Sequence, residues 1–119
     1  MLKFYTLFHL NLMYSSIDRN RRLDVIKNCY WKIFDLVDQG FPVGIESSGI
    51  TLELVKKIDP KWIETLKHNI QSKKIEFIGS GYSQIIGPLV PAEINNMNQL
   101  IGKKTYRKLL NYNPKISLI

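Results

Sequence analysis

Apolar positions change period along the chain. Lys3 to Asn11 (KFYTLFHLN) is almost continuously apolar and aromatic, the pattern of a central parallel strand covered on both faces. From Asp18 the period becomes helical: Leu23, Ile26, Tyr30, Ile33 and Val37 recur at helix spacing, and Gly40 after Asp38 is a stop signal. Pro42 to Glu46 (PVGIE) reads as a second strand, with Thr51 as N-cap of a helix over Leu52 to Ile58. Asp59-Pro60 starts another helix, Asp as N-cap and Pro in the first turn, with Trp62, Ile63, Leu66 and Ile70 on one face. Ile75 to Gly79 (IEFIG) is a third strand, and Gly79 to Gln84 a loop whose exit is bracketed by Pro88 and Pro91. A long helix follows, with Ile94, Met97, Ile101 and Leu109 as its expected buried stripe and Gly102 as an expected break. Lys115 to Ile119 reads as a fourth strand.

Strands separated by helices of this length imply right-handed βαβ crossovers. The fold class is therefore α/β, a parallel sheet of about four strands with flanking helices. No repeat, low-complexity tract or linker divides residues 1–119, so a single domain, or a piece of one, is expected. Tyr5, Phe8, Trp31, Phe34, Trp62 and Phe77 all fall on expected core faces.

Composition narrows the functional classes. The net charge is +7, from 17 Lys and Arg against 10 Asp and Glu. The basic groups are scattered: Arg19-Asn20-Arg21-Arg22, Lys56-Lys57, Lys73-Lys74 and Lys103-Lys104 each sit near a helix end or turn, where cations complement the helix dipole. That favours solvated faces over a nucleic-acid surface, although a basic α/β binding module remains an alternative. The apolar N-terminal stretch is interrupted by Tyr5, His9 and Asn11, is far short of a membrane span and lacks a small-residue cleavage site before Arg19. With one cysteine, Cys29, expected buried and inert in a helix, the expectation is a cytoplasmic protein that does not act at a membrane.

Chemistry in parallel α/β folds gathers beyond the C-terminal ends of the strands. His9 and Asn11 lie there on the first strand, two apart and so on one side, able to hydrogen-bond a polyol or carboxylate. Glu46 ends the second strand, where a carboxylate can act as acid, base or hydroxyl acceptor. The third strand carries Glu76 in its middle and Ser80 at its end, on one face by period-two counting. Gly79 and Gly81 permit close backbone approach, Tyr82 could stack on a sugar face and Gln84 could contact hydroxyls. No phosphate-binding fingerprint, metal-ligating His pair, cysteine cluster or nucleophile elbow is present, and His68 falls on a polar helix face, so no cofactor or metal is expected.

These residues, in this order, resemble the N-terminal part of glycoside hydrolase family 57 and its polysaccharide-deacetylase-like relatives, which fold as an incomplete seven-stranded (β/α) barrel. His9-Leu10-Asn11 resembles the family's His-Gln-Pro motif at the end of the first strand. Ser72 to Gly79 resembles its Glu-containing third strand, and Tyr82 through Pro88-Leu89-Val90-Pro91 its exit loop. Two departures mark a divergent subgroup: Leu-Asn follows His9, and the third-strand loop Ser80 to Gln84 lacks a histidine. The resemblance implies the N-terminal half of the barrel and a parent that works on glycosidic bonds of an α-glucan or surface polysaccharide. It implies a retaining mechanism with two carboxyl groups about 5 Å apart. It assigns His9 and Glu76 to the substrate site, while Asn11, Glu46, Ser80, Tyr82 and Gln84 follow from strand-tip position. The catalytic Glu and Asp are expected beyond Ile119. Alone, this stretch is therefore expected to be inactive and prone to self-association. A deacetylase on the same barrel is the alternative within enzymes.

Overall fold

The computed structural model describes residues 1–118. Its centre is a three-stranded parallel sheet in the order β1 (Thr6–Leu10), β2 (Val43–Ser47), β3 (Ile75–Gly79). The registers align His9 with Glu46, Leu10 with Ser47, and Ser47 with Gly79, so the three C-terminal tips end level. The segment expected as a fourth strand contributes one parallel bridge, Gly79 to Ser117, in place of a ladder. Ile119 lies outside the described residues.

The chain leaves β1 through a loop and one 3-10 turn into a helical run: α1 (Arg22–Val25), a π turn over Ile26–Tyr30, and α2 (Trp31–Asp38). Gly40, at φ 86°, then takes the left-handed conformation that ends the run. α3 (Gly49–Ile58) starts three residues earlier than expected, because Ser48 in extended backbone is its N-cap residue and Thr51 is buried in its first turn. α4 (Pro60–Gln71) begins as expected: the Asp59 carboxylate accepts from the Trp62 N–H at 3.4 Å and Pro60 occupies the first turn. α5 (Ala92–Leu110) runs unbroken and stops at Asn111, φ 51°.

Register sorts the sheet into two faces. Phe8, Leu10, Val43, Ile45, Ile75 and Phe77 point toward the helices and join Trp62, Ile63, Leu66, Leu52 and Leu109 in one core. Tyr30, Phe34 and Trp62 stack within it at centroid separations of 5.7 and 5.3 Å. Burial at Trp62, which is fully enclosed, stabilises by about 3–5 kcal/mol relative to alanine. The other face, bearing Tyr5, Leu7, His9, Gly44, Glu46, Glu76 and Ile78, is left uncovered by this core, which none of these residues joins.

Three expectations are corrected here. β1 is an edge strand, so Tyr5 and Leu7 are exposed on the uncovered face, whereas all five residues of central β2 are buried. Cys29 is exposed, because it lies one position off the buried stripe of Ile26, Tyr30, Ile33 and Val37. On α5 the buried face is Asn98, Gly102, Thr105, Tyr106, Leu109 and Leu110, while Ile94, Met97 and Ile101 point outward. The reason is at Gly102. A Cβ added there would lie 2.6 Å from the Gly81 carbonyl carbon, so only glycine lets α5 rest on the loop after β3.

Candidate functional site

The uncovered face of the sheet carries its polar groups at the C-terminal tips. His9 and Glu46 are register partners on adjacent strands, and both project to that face. Nδ1 of His9 and Oε2 of Glu46 share a hydrogen bond. Glu46 is 1 % exposed and the His9 side chain 47 %, so the carboxylate forms a floor and the imidazole stands above it. Beside them opens a cavity of about 550 Å³, lined also by Ser80, Gln84, the Ile85–Pro88 stretch and Leu118. Asn11 closes one margin by donating from Nδ2 to Gln84 Oε1 at 2.7 Å. Its own Oδ1 accepts from the Tyr14 N–H at 2.9 Å.

Tyr106 holds this rim together from beneath. Its buried hydroxyl lies 2.8 Å from the Ser47 carbonyl oxygen and 2.7 Å from that of Gly81, sharing its one proton between them. It accepts from the Ser80 N–H at 3.0 Å. Thus one side chain of α5 ties the tip of β2 to the loop after β3. Burial pushes the Tyr106 phenol upward, against the hydrogen bond from Ser80. Asn98 completes the anchoring: Oδ1 accepts from the Ser83 N–H at 2.7 Å, and Nδ2 donates to the Ser83 carbonyl at 3.0 Å.

Of the seven residues singled out from the sequence, the structure brings His9, Glu46, Ser80 and Gln84 around one cavity and sets Asn11 at its edge. Tyr82 stands apart. Its ring lies against Gly49, its hydroxyl donates to Glu53 at 2.9 Å, and it lines a groove with Ile94 and Met97. The hydrogen bond with Glu53 pushes its phenol upward. Glu76 shares the face but sits near the other end of the sheet, where Tyr5 reaches across Gly44 to donate to its Oε2 at 2.8 Å. Strand counting puts Glu76 on this face in the middle of its strand, and the register pairs it with Gly44, two residues back from Glu46. The sequence reading also passed over Tyr106 and Asn98. Their spacing from Gly102 (four residues either side) is a helical periodicity of small and polar residues, a signal hidden by the apolar stripe beside it.

No three side chains of His, Cys, Asp or Glu gather into a metal-binding group among the described residues. No helix among them is long and apolar enough to cross a membrane.

The family model of glycosyl hydrolase family 57 matches residues 3–117. The chain belongs to this family. Its parallel sheet with flanking helices is similar to the N-terminal part of the family 57 barrel, and in that frame His9 and Glu46 lie at the strand ends. Among solved structures, the chain is similar to the 4-alpha-glucanotransferase of Thermococcus litoralis, with a TM-score of 0.74 and 20 % identity. The match covers 94 % of this chain and 17 % of that one. At that identity it shows a shared fold. No curated protein gives a significant match.

Proposed function

We propose that this family 57 chain supplies one wall of the saccharide site of an enzyme acting on the glycosidic bonds of an α-glucan or surface polysaccharide. The observation that carries the reading is the gathering of His9, Glu46, Ser80 and Gln84 around a single cavity at the tips of parallel strands. An imidazole, a hydroxyl and an amide at one rim offer both donors and acceptors, which suits a polyol. The apolar stretch Ile85-Ile86-Gly87-Pro88 beside them suits the less polar faces of sugar rings. Family 57 membership and the glucanotransferase likeness support glycan over other polyols.

In this reading the chain binds and orients, and the two carboxylates of the retaining mechanism come from elsewhere in the barrel. Asn11 reaches the ligand together with Gln84, Tyr82 contacts more distant sugar units, and Glu76, at the base of the same face and outside the cavity, makes no contact with the bound glycan. Leu7 on the open face, with Ile94, Met97, Leu100 and Ile101 on α5, leaves apolar surface that the chain alone covers by self-association. Calorimetric titration with maltoheptaose tests the reading. Saturable binding is expected, weakened about tenfold or more by His9→Ala through loss of one strong hydrogen bond. Absence of binding to any neutral oligosaccharide refutes it.

A further inference from the structure

We propose that Glu46 is a positioning residue: it holds the imidazole of His9 with its proton on Nδ1, so that Nε2 is offered to the cavity as a hydrogen-bond acceptor for a hydroxyl of a neutral sugar. The choice of ligand rests on the saccharide reading above; the choice of tautomer does not.

Four observations carry it. His9 and Glu46 are register partners, so the pairing is set by the sheet and needs no loop to close. The ring nitrogen that meets Oε2 is Nδ1, and an ionised carboxylate there only accepts, which requires the proton to sit on Nδ1. Among the described residues Glu46 has no Lys or Arg partner, and His9 is the side chain bonded to it. Finally, the tip of β2 cannot retreat, because the carbonyl of the next residue, Ser47, is held by buried Tyr106.

The chemical consequence is selective. A neutral imidazole fixed in this way has a lone pair on Nε2 and accepts from a donor. Sugar hydroxyls donate. Fully ionised phosphates and carboxylates only accept, and an ionised carboxylate beneath His9 repels them besides. The wall therefore selects uncharged polyols against acidic or phosphorylated sugars.

Nitrogen-detected NMR of the two imidazoles, at a pH where both are neutral, decides the matter. His68, exposed on α4, serves as an internal reference for the tautomer preferred in water, with the proton on Nε2. His9 is expected to show the reverse, Nδ1 protonated and Nε2 bare. In Glu46→Gln its population moves toward the ordinary form, and maltoheptaose binding weakens about tenfold. His9 carrying its proton on Nε2 in the wild type overturns the proposal, as does a Glu46→Gln spectrum unchanged from it. Were Glu46→Gln not to fold, the wild-type spectrum decides alone. If His9 shows the expected tautomer but no neutral oligosaccharide shifts its Nε2 signal, the positioning stands and the saccharide reading fails. If glucose 1-phosphate shifts that signal more strongly than maltoheptaose does, the selectivity for neutral sugars is overturned.

Discussion

Two pairs of the same construction stand at opposite ends of the uncovered face. At the base, Tyr5, just ahead of β1, donates to Glu76 of β3; at the tip, His9 of β1 meets Glu46 of β2. Each sets a ring from the edge of the sheet, Tyr5 or His9, against a carboxylate on a later strand. They differ in what surrounds the carboxylate. Glu76 is exposed, so water shares its charge, and the bond from Tyr5 adds little. Glu46 is enclosed, its tip of β2 is tied down by Tyr106, and a cavity opens beside its partner. Burial and support from behind, more than the identity of the pair, turn one of them into a candidate site.

The largest expected effect breaks the support at the rim. Gly102→Ala drives a Cβ to within 2.6 Å of the Gly81 backbone and forces α5 off the loop. A loss of about 2–3 kcal/mol is expected in denaturant titration, with the rim displaced and the Tyr5–Glu76 end untouched. Tyr106→Phe comes next. It strands the Ser80 N–H and removes a donor from two carbonyls, for about 1–3 kcal/mol. Amide exchange is expected to speed up at Ser80 and to stay as it was near Glu76.

Alkaline titration sharpens the comparison from another side. Burial, followed by the hydrogen bond and charge of Glu76, pushes Tyr5 up to about 12, and burial pushes Tyr30 to about 12 as well. Unfolded tyrosine ionises near pH 10. A raised phenol contributes stability that is complete below about pH 10 and disappears as pH climbs through about 12. Thermal melts are expected to fall across that window, and Tyr30→Phe to flatten the fall more than Tyr5→Phe, because Tyr5 is half exposed. A fall beginning well below pH 9 contradicts this. Smallest of all is Tyr5→Phe near neutral pH, within about 0.5 kcal/mol of wild type, as for other exposed bonds.

Local signals made much of this fold legible. Asp59-Pro60 marks the start of α4, Gly40 the end of α2, and the apolar runs of β2 and β3 are short and well bounded. The helical face of α5 was not legible, because close approach to Gly81 selects Gly102, Thr105 and Asn98 where a periodicity argument looks for Ile94, Met97 and Ile101. For the same reason Tyr106 passed unnoticed: its role depends on carbonyls 59 and 25 residues away in sequence. At the candidate site, strand-tip position singles out His9, Glu46 and Ser80, which line one cavity. Counting by twos puts Glu76 mid-strand, but only the register between strands shows that it pairs with Gly44, roughly 7 Å behind Glu46. Nor could it show that Tyr82 turns back onto α3.

Mapping maltoheptaose onto the backbone amides by heteronuclear NMR tests the central claim most directly. Shifts are expected to concentrate at His9, Ser80 and Gln84 through Gly87, with Tyr5, Gly44 and Glu76 silent. Shifts gathered at the Tyr5–Glu76 end, or none anywhere at saturating oligosaccharide, would contradict the account.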